Sequence, residues 1–479
     1  MKHLLHKFVP AAKTCVRCAA YISGDRSTDV SSPPILPMAT ITTWLPLELW
    51  ERIIDEVDAS STPDSRQALY SCTLVSHAFY NRARLHTFKS IRVGFVRECH
   101  FVTSNRALIL CELLEDNPGL VKYIRHLTVK VFRHEDTPVN EPGIAGVVTL
   151  LDYLRTARDV TKVECFTLDA YGLPGLIWPQ LPAFFRASVI HFCRAVPIKS
   201  LQLVMLYGFL FSPLLGCVNI EDLGLHYSMF HGNESQSNQH SDQNPLPPSS
   251  SDITPFAFSF PQLKTLTVNG YIRNHVSVGC VAQSAARHPQ SMLETVRAEV
   301  NGVDDFAALM AILFGAKESL RELKISFRDL EPHEIVKLDV GSFCSLLHVV
   351  SENLLSDCAS SGKLTTSFRM FNPSTPSSSI KSITIRIELN FYNGDNLGDV
   401  FSGDDWSLLD RFLTGTKFPA LRSVEVEAMI DWATDRGNEL DRLYLEQAFR
   451  WRIDSSLPLL ISSPTIGVHV YVDAIRMRF

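Results

Sequence analysis

Two hydrophobic rhythms run along the chain. From residue 94 onward the recurring phrase is apolar-x-x-apolar-x-apolar, as in Ile124/Leu127/Val129, Ile198/Leu201/Leu203, Ile220/Leu223/Leu225 and Leu263/Leu266/Val268. It returns at Leu320/Leu323/Ile325, Ile380/Ile383/Ile385 and Leu421/Val424/Val426, with looser copies at Val160/Val163/Cys165 and Leu293/Val296/Ala298. Ile, Leu and Val fill roughly a quarter of the chain, so about seven matches on apolar positions alone arise by chance. Requiring polar residues or glycine between them lowers the expectation to about one. All seven strict copies meet that condition, so the repeat is real.

Helical spacing fills the intervals at Val147–Thr156, Leu181–Val196, Val303–Lys317, Phe343–Cys358 and Trp406–Thr414. Asp304 and Asp404 are N-cap candidates for two of these helices. Strands alternating with helices predict parallel strands stacked into one curved sheet with helices outside, an α/β solenoid. Successive copies lie 36, 38, 22, 43, 30, 27, 60 and 41 residues apart. Only two of these spacings fall in the usual range of about 20–29, so the solenoid is irregular and carries insertions.

The second rhythm belongs to residues 44–93. Leu49, Ile53 and Val57 recur at i, i+4 and i+8, with Trp50 and Ile54 widening the stripe. Pro46 suits a first helical position, and Glu48 and Glu51 complement the helix dipole. Pro63-Asp64 opens a second helix, with Gln67 three residues on. Leu69, Cys72, Val75, Phe79 and Ala83 continue at helical spacing, followed by Phe88 and Ile91. The expectation is a compact three-helix segment, too small to be robust without a neighbour.

The run Leu45-Pro46-x-Glu48-Leu49-x-x-x-Ile53-Ile54, then Leu69, Cys72-Thr73-Leu74-Val75-Ser76, Phe79 and Ala83-Arg84, resembles an F-box. The tail His86-Thr87-Phe88-Lys89-Ser90-Ile91 is similar to that of fungal F-box proteins. Ser76-His77 departs from the Cys-Arg common in the family, and Asp58–Ser65 is longer than in compact members. The resemblance implies docking onto the Skp adaptor of a cullin–RING ubiquitin ligase through Leu45, Pro46, Leu49, Ile53, Leu74, Val75 and Ser76. The region beyond resembles the irregular leucine-rich-repeat regions that follow many F-boxes. The fold class expected is therefore α + α/β: a small three-helix F-box, then a leucine-rich-repeat-like solenoid.

Period-2 alternation predicts which side chains stand on the sheet face that helices leave open. Toward the start these are His126, Thr128, Lys130, Lys162, Glu164, Gln202 and Asp222. Farther along they are Thr265, Thr267, Asn269, Arg297, Glu299, Glu322, Lys324, Arg386, Glu425 and Glu427. Mixed signs favour a protein substrate over nucleic acid. The net charge of −6 likewise supplies no basic field for nucleic acid or an anionic membrane.

Apolar residues make up 46% of the 479 and charged residues 20%, which excludes a chain disordered throughout. Residues 1–43 read as a disordered leader. Residues 231–255 and 360–379, rich in Ser, Pro, Asn or Thr, read as disordered insertions within 94–479. Of eleven cysteines only Cys15 and Cys18 form a C-x-x-C, so the thiols read as reduced, in cytoplasm or nucleus. The uncharged run Gln202–Asn219 reads as buried core, not as a membrane span.

No phosphate-binding loop, GxSxG or HExxH occurs. Asp304-Asp305 and Asp404-Asp405 would point to different helix faces and do not form an acid/base dyad. No catalytic residue, metal or cofactor is expected. The expected function is a non-catalytic substrate-recognition adaptor of a Skp–cullin–F-box ligase. The alternative is a non-ligase scaffold whose helices cap the solenoid.

Overall fold

The computed structural model describes residues 47–59, 63–73, 77–95, 106–131, 141–157, 161–170, 176–207, 209, 214, 217–226, 260–270, 292–327, 338–355, 368, 370–391, 404–432 and 439–476. The expected leader at 1–43 and the first insertion at 231–255 lie outside them. Three helices come first: α1 (Leu47–Ala59), α2 (Pro63–Cys72) and α3 (His77–Lys89). There follow β1 (Ser90–Phe95), α4 (Arg106–Asp116), β2 (His126–Val131), α5 (Glu141–Thr156), β3 (Cys165–Asp169), β4 (Leu176–Ile177) and α6 (Ala183–Ala195). Next are β5 (Ser200–Val204), β6 (Leu206–Tyr207), β7 (Asp222–His226), β8 (Thr265–Asn269), β9 (Thr295–Val300), α7 (Val303–Gly315) and β10 (Glu322–Phe327). The chain continues with β11 (His348–Leu355), β12 (Ser382–Phe391), α8 (Asp405–Thr414), β13 (Ser423–Trp432), α9 (Glu439–Ser456), α10 (Pro458–Ile461) and β14 (Gly467–Arg476).

Among the described residues twelve strands form one parallel sheet in chain order, and the short pair β4–β6 stands apart. Each strand pairs with the one before it, so the sheet grows by stacking successive units, an α/β solenoid-like fold. The register has no stagger. Ile91, Leu127, Phe166, Leu201, Leu223 and Leu266 are ladder partners in turn, followed by Val296, Leu323, Val349, Ile383, Val424 and Val468. All but the two end residues of this column are buried. It is the second apolar position of the repeated phrase, and it holds the sheet against the helices in one continuous core.

The residue before each strand is equally regular. The carbonyl of Arg125 accepts from the N–H groups of Glu164 and Cys165, that of Glu164 from Lys199 and Ser200, and that of Lys199 from Glu221 and Asp222. The pattern repeats through Glu221, Lys264, Glu294 and Arg321. The side chains of this rim column therefore alternate in sign from Arg125 to Arg321. Arg125 pairs with Glu164 at 2.8 Å and Lys264 with Glu221 at 2.7 Å.

Several expectations need correction. Phe343–Cys358, read as a helix, contains β11, so the 60-residue gap between Leu323 and Ile383 hides a strand. The copy read as Val160/Val163/Cys165 is instead Val163/Phe166/Leu168, because Phe166 fills the column position. Phe88/Ile91/Val93 is likewise a copy, so the sheet starts at β1, inside residues 44–93. The helix α7 starts after Gly302, whose φ of 128° only glycine adopts easily, and no side chain caps it. Asp404 is the residue before α8 but makes no side-chain cap bond. Within 360–379, Phe368, Met370 and Phe371 are core residues, and Phe368 meets Trp406 edge-to-face at 5.3 Å. The expected insertion thus carries core side chains among its described residues, 368 and 370–379; 360–367 and 369 lie outside the described residues.

The first three helices have their own small core of Ile54, Leu69 and Phe79, with Val57 and Cys72 against it. Outside it, Arg82 on α3 grips Asp55 on α1, donating from Nε to Oδ1 at 2.8 Å and from Nη2 to Oδ2. The His86 ring bridges Asp55 at 2.8 Å and Asp58 at 2.9 Å. Helix α3 runs without a break into β1 and packs on the turn at Pro118–Tyr123. No described helix is long and apolar enough to cross a membrane.

Candidate functional site

Side chains alternate between the core and the opposite face of the sheet, which the described helices leave open. This open face is hollowed by a cleft of about 680 Å³ that reaches from Gln202 on β5 to Glu388 on β12. Its two ends differ in chemistry.

Across β5, β7 and β8 the floor is a hydrogen-bonded chain built on a single carboxylate, Asp222. Gln202 Nε2 donates to Asp222 Oδ2 at 2.9 Å and to Ser200 Oγ at 3.1 Å, and Ser200 Oγ donates to the same Asp222 oxygen at 2.7 Å. Gln202 Oε1 accepts from His226 Nε2 at 2.9 Å, which leaves His226 Nδ1 to accept from Asn269 Nδ2 at 3.1 Å. This is the neutral ring. Burial pushes the His226 imidazole below its usual range, against the opposing pull of Asp222.

From β9 to β13 the face is charged. Arg297 pairs with Glu322 at 3.2 Å, and Lys324 with Glu352 at 2.8 Å. Arg386 lies between Glu352 and Glu427, donating from Nη1 to the first and from Nε to the second at 2.7 Å. Burial works against its charge, but hydrogen bonds to Glu427 and Glu352 outweigh it and raise the guanidinium above its ordinary value. Beside this ladder His348 Nε2 meets Thr384 Oγ1 at 3.1 Å, and Thr384 donates to Glu425 at 3.3 Å.

Of the substrate-facing residues expected from sequence, Arg297, Glu299, Glu322, Lys324, Arg386 and Glu425 all stand on the open face. Lys162 and Glu164 do not. Both precede β3: Lys162 is exposed, and Glu164 is a rim residue paired with Arg125. The open positions there are Cys165, Thr167 and Asp169, because shifting the phrase by three residues flips every side chain to the other face. Sequence reading also missed His226, Ser326, Glu352 and Glu388. Glu352 was hidden by reading β11 as a helix. The other three extend the same alternation along strands already found, so the signal for them was present.

Of the Skp-docking residues, Leu45, Pro46, Leu74, Val75 and Ser76 lie outside the described residues. Leu49 on α1 is 45% exposed, whereas Ile53 is half-buried beside the core residue Ile54. Among the described residues no group of three His, Cys, Asp or Glu could hold a metal ion. Cys111, Cys193 and Cys217 are buried and unpaired, and burial pushes the Cys111 and Cys217 thiols up to about 11. They behave as core residues.

No protein-family model matches the chain, and no curated protein matches it.

Proposed function

We propose that this protein is the substrate-recognition subunit of a Skp–cullin–F-box ubiquitin ligase, with the N-terminal helices docking on the Skp adaptor and the open sheet face binding a protein substrate. The observation that carries the ligase end is Leu49. It is a large apolar residue at an F-box docking position, and it projects to solvent from a helix whose Ile54 is buried. A single exposed apolar side chain is common on protein surfaces; this one supports the reading because it falls at a position that the F-box resemblance assigns to docking. The chain itself performs no bond chemistry in this reading. Its contribution is positional, raising the local concentration of substrate lysines near a charged ubiquitin-conjugating enzyme.

A second reading, a scaffold whose helices cap the solenoid, draws on the packing of α3 against β1 and the turn at Pro118–Tyr123. Co-purification of the full chain with a Skp adaptor separates the two. The ligase reading expects capture by the wild type and its loss in Pro46→Ala/Leu49→Lys, with the circular-dichroism spectrum unchanged. No capture by a folded wild type removes the ligase reading and leaves the scaffold.

A further inference from the structure

We infer that the cleft on the open face takes an extended polypeptide segment bearing lysine or arginine. The inference deepens the proposed function and rests on its claim that this face binds polypeptide; it does not need the ligase end.

The argument begins with charge. Among the described side chains, strands β9 to β13 present six carboxylates on this face, Glu299, Glu322, Glu352, Glu388, Glu425 and Glu427, against three cations, Arg297, Lys324 and Arg386. Each of the three cations is already engaged by a glutamate of the same face. The surplus is therefore carboxylate, and it is concentrated: three negative charges in excess on five adjacent strands, in a chain whose whole net charge is −6. Glu388 lines the cleft in a half-buried position and has no ion pair among the described residues. The cleft itself shares the surplus, lined by Asp222, Glu299, Glu352 and Glu388 against Arg297 and Lys324, and a surplus of one sign in a hollow focuses the potential there and draws the opposite charge.

Shape and the β5–β8 end complete the specification. Neighbouring strands lie ~4.8 Å apart, so the seven strands from β5 to β12 span about 29 Å, the reach of about nine extended residues. At the β5–β8 end Thr265, Thr267 and Asn269 offer hydroxyl and amide groups, which suit peptide backbone better than charge. A basic side chain would then sit over β10–β12 near Glu388, with the adjoining backbone across β7 and β8. Nucleic acid is disfavoured by the same surplus, since phosphates would meet carboxylates.

The test uses the full chain and three fluorescein-labelled peptides of about nine residues: Lys/Ser, Gln/Ser and Glu/Ser. Fluorescence anisotropy at low salt should show the Lys/Ser peptide binding at least about tenfold more tightly than the Glu/Ser one, with the preference shrinking as salt rises. Two variants push in opposite directions. Glu388→Gln should weaken the Lys/Ser peptide about three- to tenfold, whereas Lys324→Gln, which removes a cation from the cleft and leaves Glu352 shared with Arg386 alone, should tighten it. A purely structural role for these two side chains would not give opposite signs. Equal binding of all three peptides overturns the basic specificity while leaving a polypeptide-binding face. Binding of none overturns both. Lys/Ser binding indifferent to both variants places the contact elsewhere and also overturns the inference. The Skp capture experiment is unaffected by any of these results, so failure here and failure of the ligase end are separate observations.

Discussion

Gln202 lies directly over Gly224: a methyl group at position 224 would stand 1.6 Å from Gln202 Oε1. The missing side chain on β7 is what lets the Gln202 amide cross from β5 and reach Asp222 and His226 together. The β5–β8 end of the cleft therefore depends on a glycine that contributes no side chain of its own. The requirement is one of space and not of backbone angle, since Gly224 is not among the glycines with positive φ.

Gly224→Ala should accordingly break the Ser200–Asp222–Gln202–His226 chain. Gln202 is flexible and can swing away, so the penalty is mainly the lost hydrogen bonds, about 1–2 kcal/mol. Thermal or urea unfolding measures it. The decisive comparison is the double variant Gly224→Ala/Gln202→Ala, in which the main obstruction is gone and the remaining close atom is His226 Nε2 at 2.9 Å. The alanine at 224 should then cost much less than it does with Gln202 present, and simple additivity would contradict the account.

The rim column supplies a second prediction. Lys199 stands between Glu164 and Glu221, and the Glu221 carboxyl is held below its ordinary range first by Lys264 and also by Lys199. Lys199→Glu would place three carboxylates on consecutive strands. The expected outcome is a lower melting temperature at low salt and a smaller loss at high salt, because these groups are open to solvent and screened. A loss independent of salt would mean that packing of the lysine stem, not charge, is what matters.

How much of this was legible follows from which residue types occupy the column. Where Ile, Leu or Val fills it and an apolar residue stands three positions before, as at Leu127, Leu266 or Leu323, the sequence shows the strand and its open face. At β14 Thr465 stands three before Val468, and the phrase misses the strand. Where Phe166 or Ile91 after Phe88 takes part, the aromatic hid the phrase and the register was misplaced or absent. At β11 the pattern failed for another reason. Ser351 is an inward residue and Val350 an open-face one, so polarity is inverted at two adjacent positions, and Leu346, Val350 and Leu354 mimic a helical stripe. The strand forms anyway because β10 and β12 offer complete ladders on both sides. The rim alternation and the Arg82–Asp55 clamp join residues 22 to 43 apart in sequence. No local periodicity signals such pairs; only the stacking register brings them together.

That clamp predicts an acid response of the N-terminal helices. Arg82 beside Asp55, assisted by His86, holds the carboxyl down at about 2, against an ordinary value of 3.8. A folded-state value below the unfolded one means that the contribution to stability is present above about pH 4 and is lost as the pH falls toward 2. Both side chains are about a third exposed, at 31% and 39%, so the effect is partly screened. In Arg82→Met the helices should lose structure at a higher pH than in the wild type, followed through the exchange of α1 and α3 amides. An unchanged acid midpoint would show that the clamp does not hold the helices.

At the other end of the sheet, Asp410 on α8 is 2% exposed and turns its carboxylate to the start of α10. Oδ2 accepts from the Leu459 N–H at 2.9 Å and Oδ1 from the Leu460 N–H at 2.7 Å. A helix N-terminus has N–H groups with no partner inside the helix, and an anion there satisfies them and the dipole together. The four residues of α10 could not hold their own geometry otherwise, yet they set Leu457 and Leu460 into the core beneath β14. Asp410→Ala leaves one buried and one part-buried N–H group unpaired and should cost about 2–4 kcal/mol. Asp410→Asn keeps one accepting oxygen but brings an NH2 group toward the second N–H, so it should fall between wild type and Ala. Hydrogen exchange at Leu459 and Leu460 distinguishes this from a general core defect: both amides should lose protection in the Ala variant before β13 does. If β13 and β14 open together with them, Asp410 is a packing residue of the whole terminal unit and the capping account fails.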